Sequence, residues 1–135
     1  MTGLPPSLSQ ALEQLPRPLF DTQLLLELID VIGPEQAIAA IPELITLFVR
    51  DAPQYRAAIL TAITQQDGDT LRRSAHTLKS SSRSLGAASL GQACESLEEY
   101  AIQGRFDLAR QQRPEFETLL EQSLTILNQL AQDLQ

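Results

Sequence analysis

The chain has 135 residues, which is enough for one compact domain, and 43% of them are hydrophobic, which is enough to fill a single core. Its formal charge of −7 argues against a nucleic-acid or anionic-membrane partner, because lysine and arginine are the residues that neutralise phosphates. With a single cysteine, Cys94, and a single histidine, His76, the chain has too few ligands for an internal disulfide, a thiolate metal site or a multi-histidine metal site. We therefore expect a protein without a metal or other cofactor of its own.

No leader-like segment opens the chain, and no stretch is long and apolar enough to span a bilayer, so we expect a cytoplasmic protein. Residues 1–20 contain four prolines and are predicted to form an N-terminal arm with a short helix at 9–15. Residues 21–135 are predicted to form one helical bundle domain. In its first helix, Asp21 is the predicted N-cap, and Gly33 and Pro34 end the helix.

Helical periodicity continues through the rest of the sequence. Residues 35–66 have apolar positions at helical spacing, and Pro42 and Pro53 are each predicted to start or kink a helix there. A turn at residues 67–69 begins the next helix, which contains His76 and ends at Gly86.

Two more helices complete the predicted set. One spans 88–103 and ends at Gly104, and the last begins near Asp107, with a kink at Pro114. Short connections between long amphipathic helices predict an all-α fold, an antiparallel four-helix bundle with one or two short additional N-terminal helices.

The helix that contains His76 has two different sides. A rotation of about 100° per residue places Leu71, Leu78 and Leu85 on one side, which we expect to face the core. Small residues flank this side, and we expect them to pack tightly with their hydroxyls bonded to backbone carbonyls. They are Ser74, Ser81 and Ser82.

The opposite side of this helix carries His76 and is predicted to face water. No acidic residue occurs between Leu71 and Cys94, so this side forms a positive island in an acidic protein. Its polar and charged residues are Asp69, Arg72, Arg73, Lys79, Ser80 and Arg83. A solvated helix face without a function would explain such a run equally well, and a lone histidine is more often structural than reactive.

Three features favour a reactive histidine. Lys79, the only lysine of the chain, lies one turn after His76 on the same side of the helix, and Arg83 lies two turns after it. The residue four positions after His76, Ser80, is small. An exposed imidazole of ordinary pKa, about 6.5, is largely neutral at neutral pH and therefore nucleophilic. A phosphorylated ring would carry about two negative charges, which the neighbouring cations would stabilise.

Other chemistries find less support. Ser-His-Asp catalysis needs a carboxylate that orients the imidazole, and nothing in the sequence points to one near His76. Phosphoryl transfer from ATP would need a glycine-rich phosphate loop, which the sequence lacks. The chain is therefore predicted to be a phosphoryl carrier and not an enzyme.

Residues 75–86, AHTLKSSSRSLG, closely resemble the phosphorylation-site motif of histidine phosphotransfer (HPt) domains of two-component phosphorelays. His76, Leu78, Lys79, Ser80 and Gly86 match its positions in order, with Ser80 in place of the commoner glycine. The resemblance extends from about residue 21 to 106, through ELITLFVRDAP before the motif, and covers roughly two thirds of the chain.

This resemblance implies a four-helix bundle with His76 in the middle of a helix. It implies that His76 accepts a phosphoryl group from a receiver-domain aspartate of a hybrid kinase, or from a kinase directly, and passes it to a response-regulator aspartate. Lys79 and Arg83 are then expected to stabilise the phosphoryl group, with Arg72, Arg73, Ser80 and Gly86 as motif and docking support. Mg²⁺ is expected on the partner receiver.

Three alternatives remain at this stage. A histidine-kinase dimerisation helix would have an acidic residue after the histidine, where this chain has Thr77. A non-transferring bundle that only binds receiver domains would be expected to lose the histidine or its lysine. The third alternative, an HPt module cut from a larger sensor kinase, would leave the chemistry unchanged.

Overall fold

Six α-helices and no strand make up residues 4–135, the part of the chain that this computed structural model describes. Residues 1–3 of the predicted arm lie outside the described residues. The helices are α1 (Pro6–Glu13), α2 (Gln23–Ile32), α3 (Pro34–Gln65), α4 (Gly68–Ser84), α5 (Ala88–Gln103) and α6 (Phe106–Asp133).

The four long helices form the bundle. Each of them packs against two others, in the cyclic order α3, α4, α5, α6 and back to α3. The short helix α2 lies against α3 and α4, and α1 lies against α6. The predicted all-α fold, a four-helix bundle with short additional N-terminal helices, is confirmed. No helix within residues 4–135 has the length and hydropathy that crossing a membrane requires.

Helix α3 runs without a break through Pro42 and Pro53, so the prediction that these prolines start new helices is wrong. Each proline removes one backbone hydrogen bond from the helix. Pro53 is exposed and Pro42 is partly exposed, so water can replace the missing bonds there. The inner face is a continuous row of buried apolar side chains, and their burial against α4 and α6 outweighs the loss. The larger ones are Ile41, Ile45, Phe48, Ile59 and Ile63. Helix α6 likewise continues through Pro114.

The short N-terminal helices begin at different residues from those predicted. Helix α1 starts at Pro6, a residue that suits the first turn because its missing N–H would be unpaired there anyway. The N-cap of α2 is Thr22 and not Asp21, since the first helical bond runs from the Leu26 N–H to the Thr22 carbonyl. Asp21 still contributes, because its carboxylate accepts from the Gln23 N–H at 3.0 Å.

Both ends of α4 are fixed by local chemistry. At its start, the side chain of Asp67 accepts hydrogen bonds from the backbone N–H of Thr70 at 3.2 Å and from its hydroxyl at 2.6 Å. Past its end, Gly86 has a φ of +83°, and a Cβ there would lie 2.8 Å from the Asp21 carbonyl oxygen. The Asp21 N–H donates to the Gly86 carbonyl at 2.8 Å, which ties the start of α2 to the end of α4.

Candidate functional site

His76 lies near the middle of α4 with its side chain turned outward. Ala75 and Leu78 on either side of it are buried in the bundle, and they fix the rotation of the helix. The side chain of His76 is 58% exposed. Its position is therefore set by a rigid, packed helix, while the ring remains accessible to another protein.

The neighbouring helix α5 brings a carboxylate to this ring. Oε2 of Glu98 lies 2.7 Å from Nδ1 of His76, and Oε1 of the same carboxylate accepts a hydrogen bond from Nζ of Lys79 at 2.6 Å. The side chains of Lys79 and Glu98 are only 16% and 15% exposed. No acidic residue lies near His76 in the sequence, and this carboxylate is beside it in the structure because Glu98 comes from a different helix, 22 residues away.

The electrostatics of Glu98 favour its charged form. Burial acts to raise the pKa of this carboxyl, but the hydrogen bonds from Lys79 and His76 outweigh the burial, so its pKa lies below the usual value. An ionised carboxylate can only accept hydrogen bonds, so Nδ1 is the donor in its contact with His76. Ring, carboxylate and ammonium thus form one connected chain of charge-assisted hydrogen bonds.

The other predicted site residues are arranged less closely. Arg83 donates to Oε2 of Glu95 on α5 at 3.0 Å, so its guanidinium is directed toward α5. Arg72 and Arg73 are exposed on the outer side of α4. Gly86 ends the helix and has a structural role there, ten residues from the imidazole.

The predicted packing of the serines agrees with the structure at Ser82, which is fully buried and donates from Oγ to the Leu78 carbonyl at 2.6 Å. Ser80 lies on the exposed side of α4, one turn after His76. Its carbonyl accepts from Oγ of Ser84 at 2.9 Å.

A groove runs between α3 and α4, on the side of α4 away from Glu98. It has a volume of about 270 Å³, and we call it the α3–α4 groove. Leu44 and Leu47 form its exposed apolar rim on α3, and Leu47 is 44% exposed. The lining residues are Leu44, Leu47, Phe48, Asp51, Ala52, Tyr55, Leu78, Ser81, Ser84 and Leu85. Ser81 and Ser84 place the α4 side of the groove one to two turns beyond His76, and at about 100° per residue they lie roughly 80–140° around the helix from it.

Among the residues that the structure describes, neither a cluster of metal ligands nor a reactive thiol lies beside this histidine. Within residues 4–135 no group of three or more His, Cys, Asp or Glu side chains could hold a metal ion. Cys94 is buried, and burial raises the pKa of its thiol to about 12. Its position is that of a small core residue.

Comparison with known proteins gives one family and one solved structure. The family model described as Hpt domain matches residues 43–134, a range that contains His76, Lys79 and Glu98. The crystal structure of histidine-containing phosphotransfer protein B (HptB) from Pseudomonas aeruginosa PAO1 is similar to the chain, with a TM-score of 0.74 and 26% sequence identity. The match covers 87% of this chain and 97% of that one. No curated protein matches the sequence.

Proposed function

The chain belongs to the Hpt domain family, the histidine phosphotransfer proteins of two-component phosphorelays, and we propose that His76 is the residue that carries its phosphoryl group. The observation that carries this proposal is the position of His76, the only histidine of the chain, exposed in the middle of a rigid helix within the matched range. A phosphocarrier needs a nucleophile that a second protein can reach, and this imidazole meets that need.

The proposed transfer is a direct exchange between two proteins. An unprotonated ring nitrogen of His76 attacks the phosphorus of a receiver's aspartyl phosphate. A nitrogen–phosphorus bond forms, the phosphorus–oxygen bond breaks, and its electron pair remains on the aspartate carboxylate. The reverse sequence passes the phosphoryl group to the aspartate of a response regulator. ATP takes no part in either step.

Cations on the same face support the phosphorylated state. An ammonium group has three donors, and Lys79 uses one of them on Glu98, so further donors remain for a phosphoryl oxygen. Arg83 is the second proposed phosphoryl-stabilising residue, one turn beyond Lys79, although it also pairs with Glu95. Arg72 and Arg73 add long-range attraction for an acidic partner.

The proposed partners are receiver domains of a hybrid histidine kinase, a response regulator or both, and they would meet this chain in the cytoplasm. We propose that the receiver docks over His76 and the α3–α4 groove, where Leu44 and Leu47 offer apolar contact beside the basic face. The small Ser80 lets a receiver loop approach the imidazole. Mg²⁺ and the acidic residues that bind it would belong to the receiver.

The test is phosphoryl uptake by native protein and by His76→Gln after incubation with a phosphorylated receiver. The native chain should gain acid-labile phosphate on nitrogen, and the variant should gain none while its helical circular dichroism is unchanged. Because the side chain is exposed, the substitution is not expected to disturb the core. Phosphate on nitrogen in the variant would disprove the assignment of His76, and receiver binding without any labelling of the native chain would instead favour an interaction module.

A further inference from the structure

Charge is unevenly divided along the chain. Residues 18–49, which contain α2 and the first half of α3, have five acidic residues and no basic one. All five are exposed, and we call them the acidic side; they are Asp21, Glu27, Asp30, Glu35 and Glu43. Residues 71–94, which begin in α4, show the reverse, with four basic residues and no acidic one.

The acidic side adjoins the α3–α4 groove. Glu43 stands directly before Leu44, an exposed apolar residue of the groove rim. Helix α2 begins at one end of the groove, because the Asp21 N–H donates to the carbonyl of Gly86 at 2.8 Å, and the residue before Gly86, Leu85, lines the groove. A protein that fills the groove therefore also meets exposed acids of α2 and α3.

The charge of the acidic side is not compensated within the described part of the protein. None of its carboxylates forms an ion pair with a lysine, arginine or histidine of residues 4–135. On α4, by contrast, Lys79 and Arg83 pair with Glu98 and Glu95 of α5. A partner surface with basic side chains would supply the charge that the acidic side lacks.

On the basis of the proposed function, we propose that the acidic side extends the docking surface beyond the groove and selects receivers that carry lysine or arginine at the matching position. The apolar rim supplies contact that does not depend on the charge of the receiver. The acids beside it discriminate among receivers, because like charges that face each other across an interface oppose binding. A receiver with acidic side chains at that position is therefore disfavoured.

The length of α4 gives the place of these basic side chains on the receiver. Leu85, at the end of the groove where α2 begins, lies nine residues after His76, which is about 14 Å at 1.5 Å per residue. Because the Debye length is about 8 Å at physiological ionic strength, charges at the two places act nearly independently. The acids around the receiver's aspartate are then little repelled by the acidic side. The selected receivers should carry basic side chains roughly 14 Å from that aspartate.

A receiver fits this surface better than a second copy of the chain does. Two copies joined through the groove and the basic face would cover each other's His76, whose side chain is 58% exposed and has to be reached by a phosphoryl donor. A receiver brings the donor group itself, so docking and transfer use the same surface.

The test compares two sets of unphosphorylated receiver domains of known structure, one basic and one acidic at roughly 14 Å from the phosphorylatable aspartate. In titration calorimetry at low ionic strength, the native chain should bind the basic set more tightly, by about tenfold. Glu27→Lys combined with Glu43→Lys should reverse this order, since both positions are exposed and attraction becomes repulsion. The preference should shrink in about 1 M salt, where the Debye length is about 3 Å.

The matched control is Glu115→Lys combined with Glu121→Lys. It makes the same total change in charge at two exposed positions of α6, neither of which lines the groove. The control should keep the native order of affinities, because its charges lie on a different surface. Helical circular dichroism of both double variants checks that they fold as the native chain does.

The outcomes separate this inference from the proposed function. Equal affinity of the native chain for the two sets, or an order that the control reverses or that the acidic-side variant retains, would overturn the inference, and labelling of His76 would leave the proposed function intact. A salt-sensitive dimer of the native chain that the acidic-side variant cannot form would identify a second copy as the occupant and would also overturn it. A native chain that no receiver labels would refute the proposed function, while the affinities would still report on selection.

Discussion

Gly91 of α5 lies so close to Arg83 of α4 that a Cβ at position 91 would stand 2.7 Å from Cγ of the arginine. Cγ moves away only if χ1 of Arg83 changes, and that change would break the hydrogen bond from Arg83 to Glu95. This close approach holds α5 against the face of α4 that carries His76, and it supports the contact between Glu98 and the imidazole.

Gly91→Ala should therefore destabilise the bundle in spite of the better helix propensity of alanine. Gly68→Ala, also in a helix, is the matched control, because its Cβ would make only ordinary contacts, the closest at 3.5 Å with the Ala101 carbonyl oxygen. We expect the free energy of unfolding of Gly91→Ala to be lower than that of the control by roughly 1–3 kcal/mol, the usual cost of overpacking. Urea denaturation measures both values, and equal stabilities would show that α5 can shift without cost.

Leu47→Ser should weaken receiver binding without unfolding the protein. Its side chain is 44% exposed on the rim of the α3–α4 groove, so its loss removes apolar contact with a partner and little from the core. We expect a loss of affinity of about five- to tenfold, or roughly 1–1.4 kcal/mol, measured by titration calorimetry with an unphosphorylated receiver. Ile102→Ser is the control, because Ile102 is 64% exposed on α5 and does not line the groove. If the control weakens binding and Leu47→Ser does not, the docking face has been placed on the wrong side of α4.

Asp67 should make stability depend on pH in acid. The hydrogen bonds from the side chain and then the backbone of Thr70 lower the pKa of this carboxyl below 3.8 in the folded protein. Because the pKa of Asp67 is lower in the folded than in the unfolded protein, the stabilisation from its ionised carboxylate is fully present above about pH 3.8. This stabilisation is lost as the pH falls through the lower pKa of the folded protein. Asparagine also caps helices but does not titrate here. The difference in free energy of unfolding between native protein and Asp67→Asn should therefore narrow from pH 5 to pH 2, and a constant difference over that range would contradict the prediction.

Ser123→Ala should stabilise the protein. The hydroxyl of Ser123 is fully buried in α6 and has no hydrogen-bond partner among the described residues. Because an unpaired buried hydroxyl costs about 1–3 kcal/mol, we expect the free energy of unfolding to rise by about 1 kcal/mol. Ser82→Ala is the comparison, since that buried hydroxyl does have a partner, the Leu78 carbonyl, and its removal should not stabilise the protein. Thermal denaturation of both variants measures these effects. A Ser82→Ala protein that is more stable than the Ser123→Ala protein would refute this account.

The sequence predicted best where local chemistry decides the structure. Helix α5 begins and ends where it was predicted, because Gly104 adopts a left-handed φ of +68° that stops the helix after Gln103. Predictions failed where packing overrides a local preference. Pro42 and Pro53 do not interrupt α3, since the buried apolar row along its inner face continues past both.

Glu98 was missed for a different reason: the register between α4 and α5 is a tertiary property. One signal was nevertheless present in the sequence. Glu95 and Glu98 are three residues apart on α5, and Lys79 and Arg83 are four residues apart on α4. In antiparallel helices the earlier cation faces the later acid, so these spacings match two ion pairs between the helices. The structure forms both pairs, Arg83 with Glu95 and Lys79 with Glu98.

His76 projects from the convex outer surface of a helix, and more than half of its side chain is open to solvent. On the proposed function, this chain therefore supplies only one side of the site at which the phosphoryl group is transferred, and the docking protein must supply the rest. Shielding of the reacting phosphorus from hydrolysis, and rejection of unsuitable donors, then depend on how well two separate surfaces close over one another. The fidelity of the proposed transfer would then be set by the complex of the two proteins and not by either protein alone.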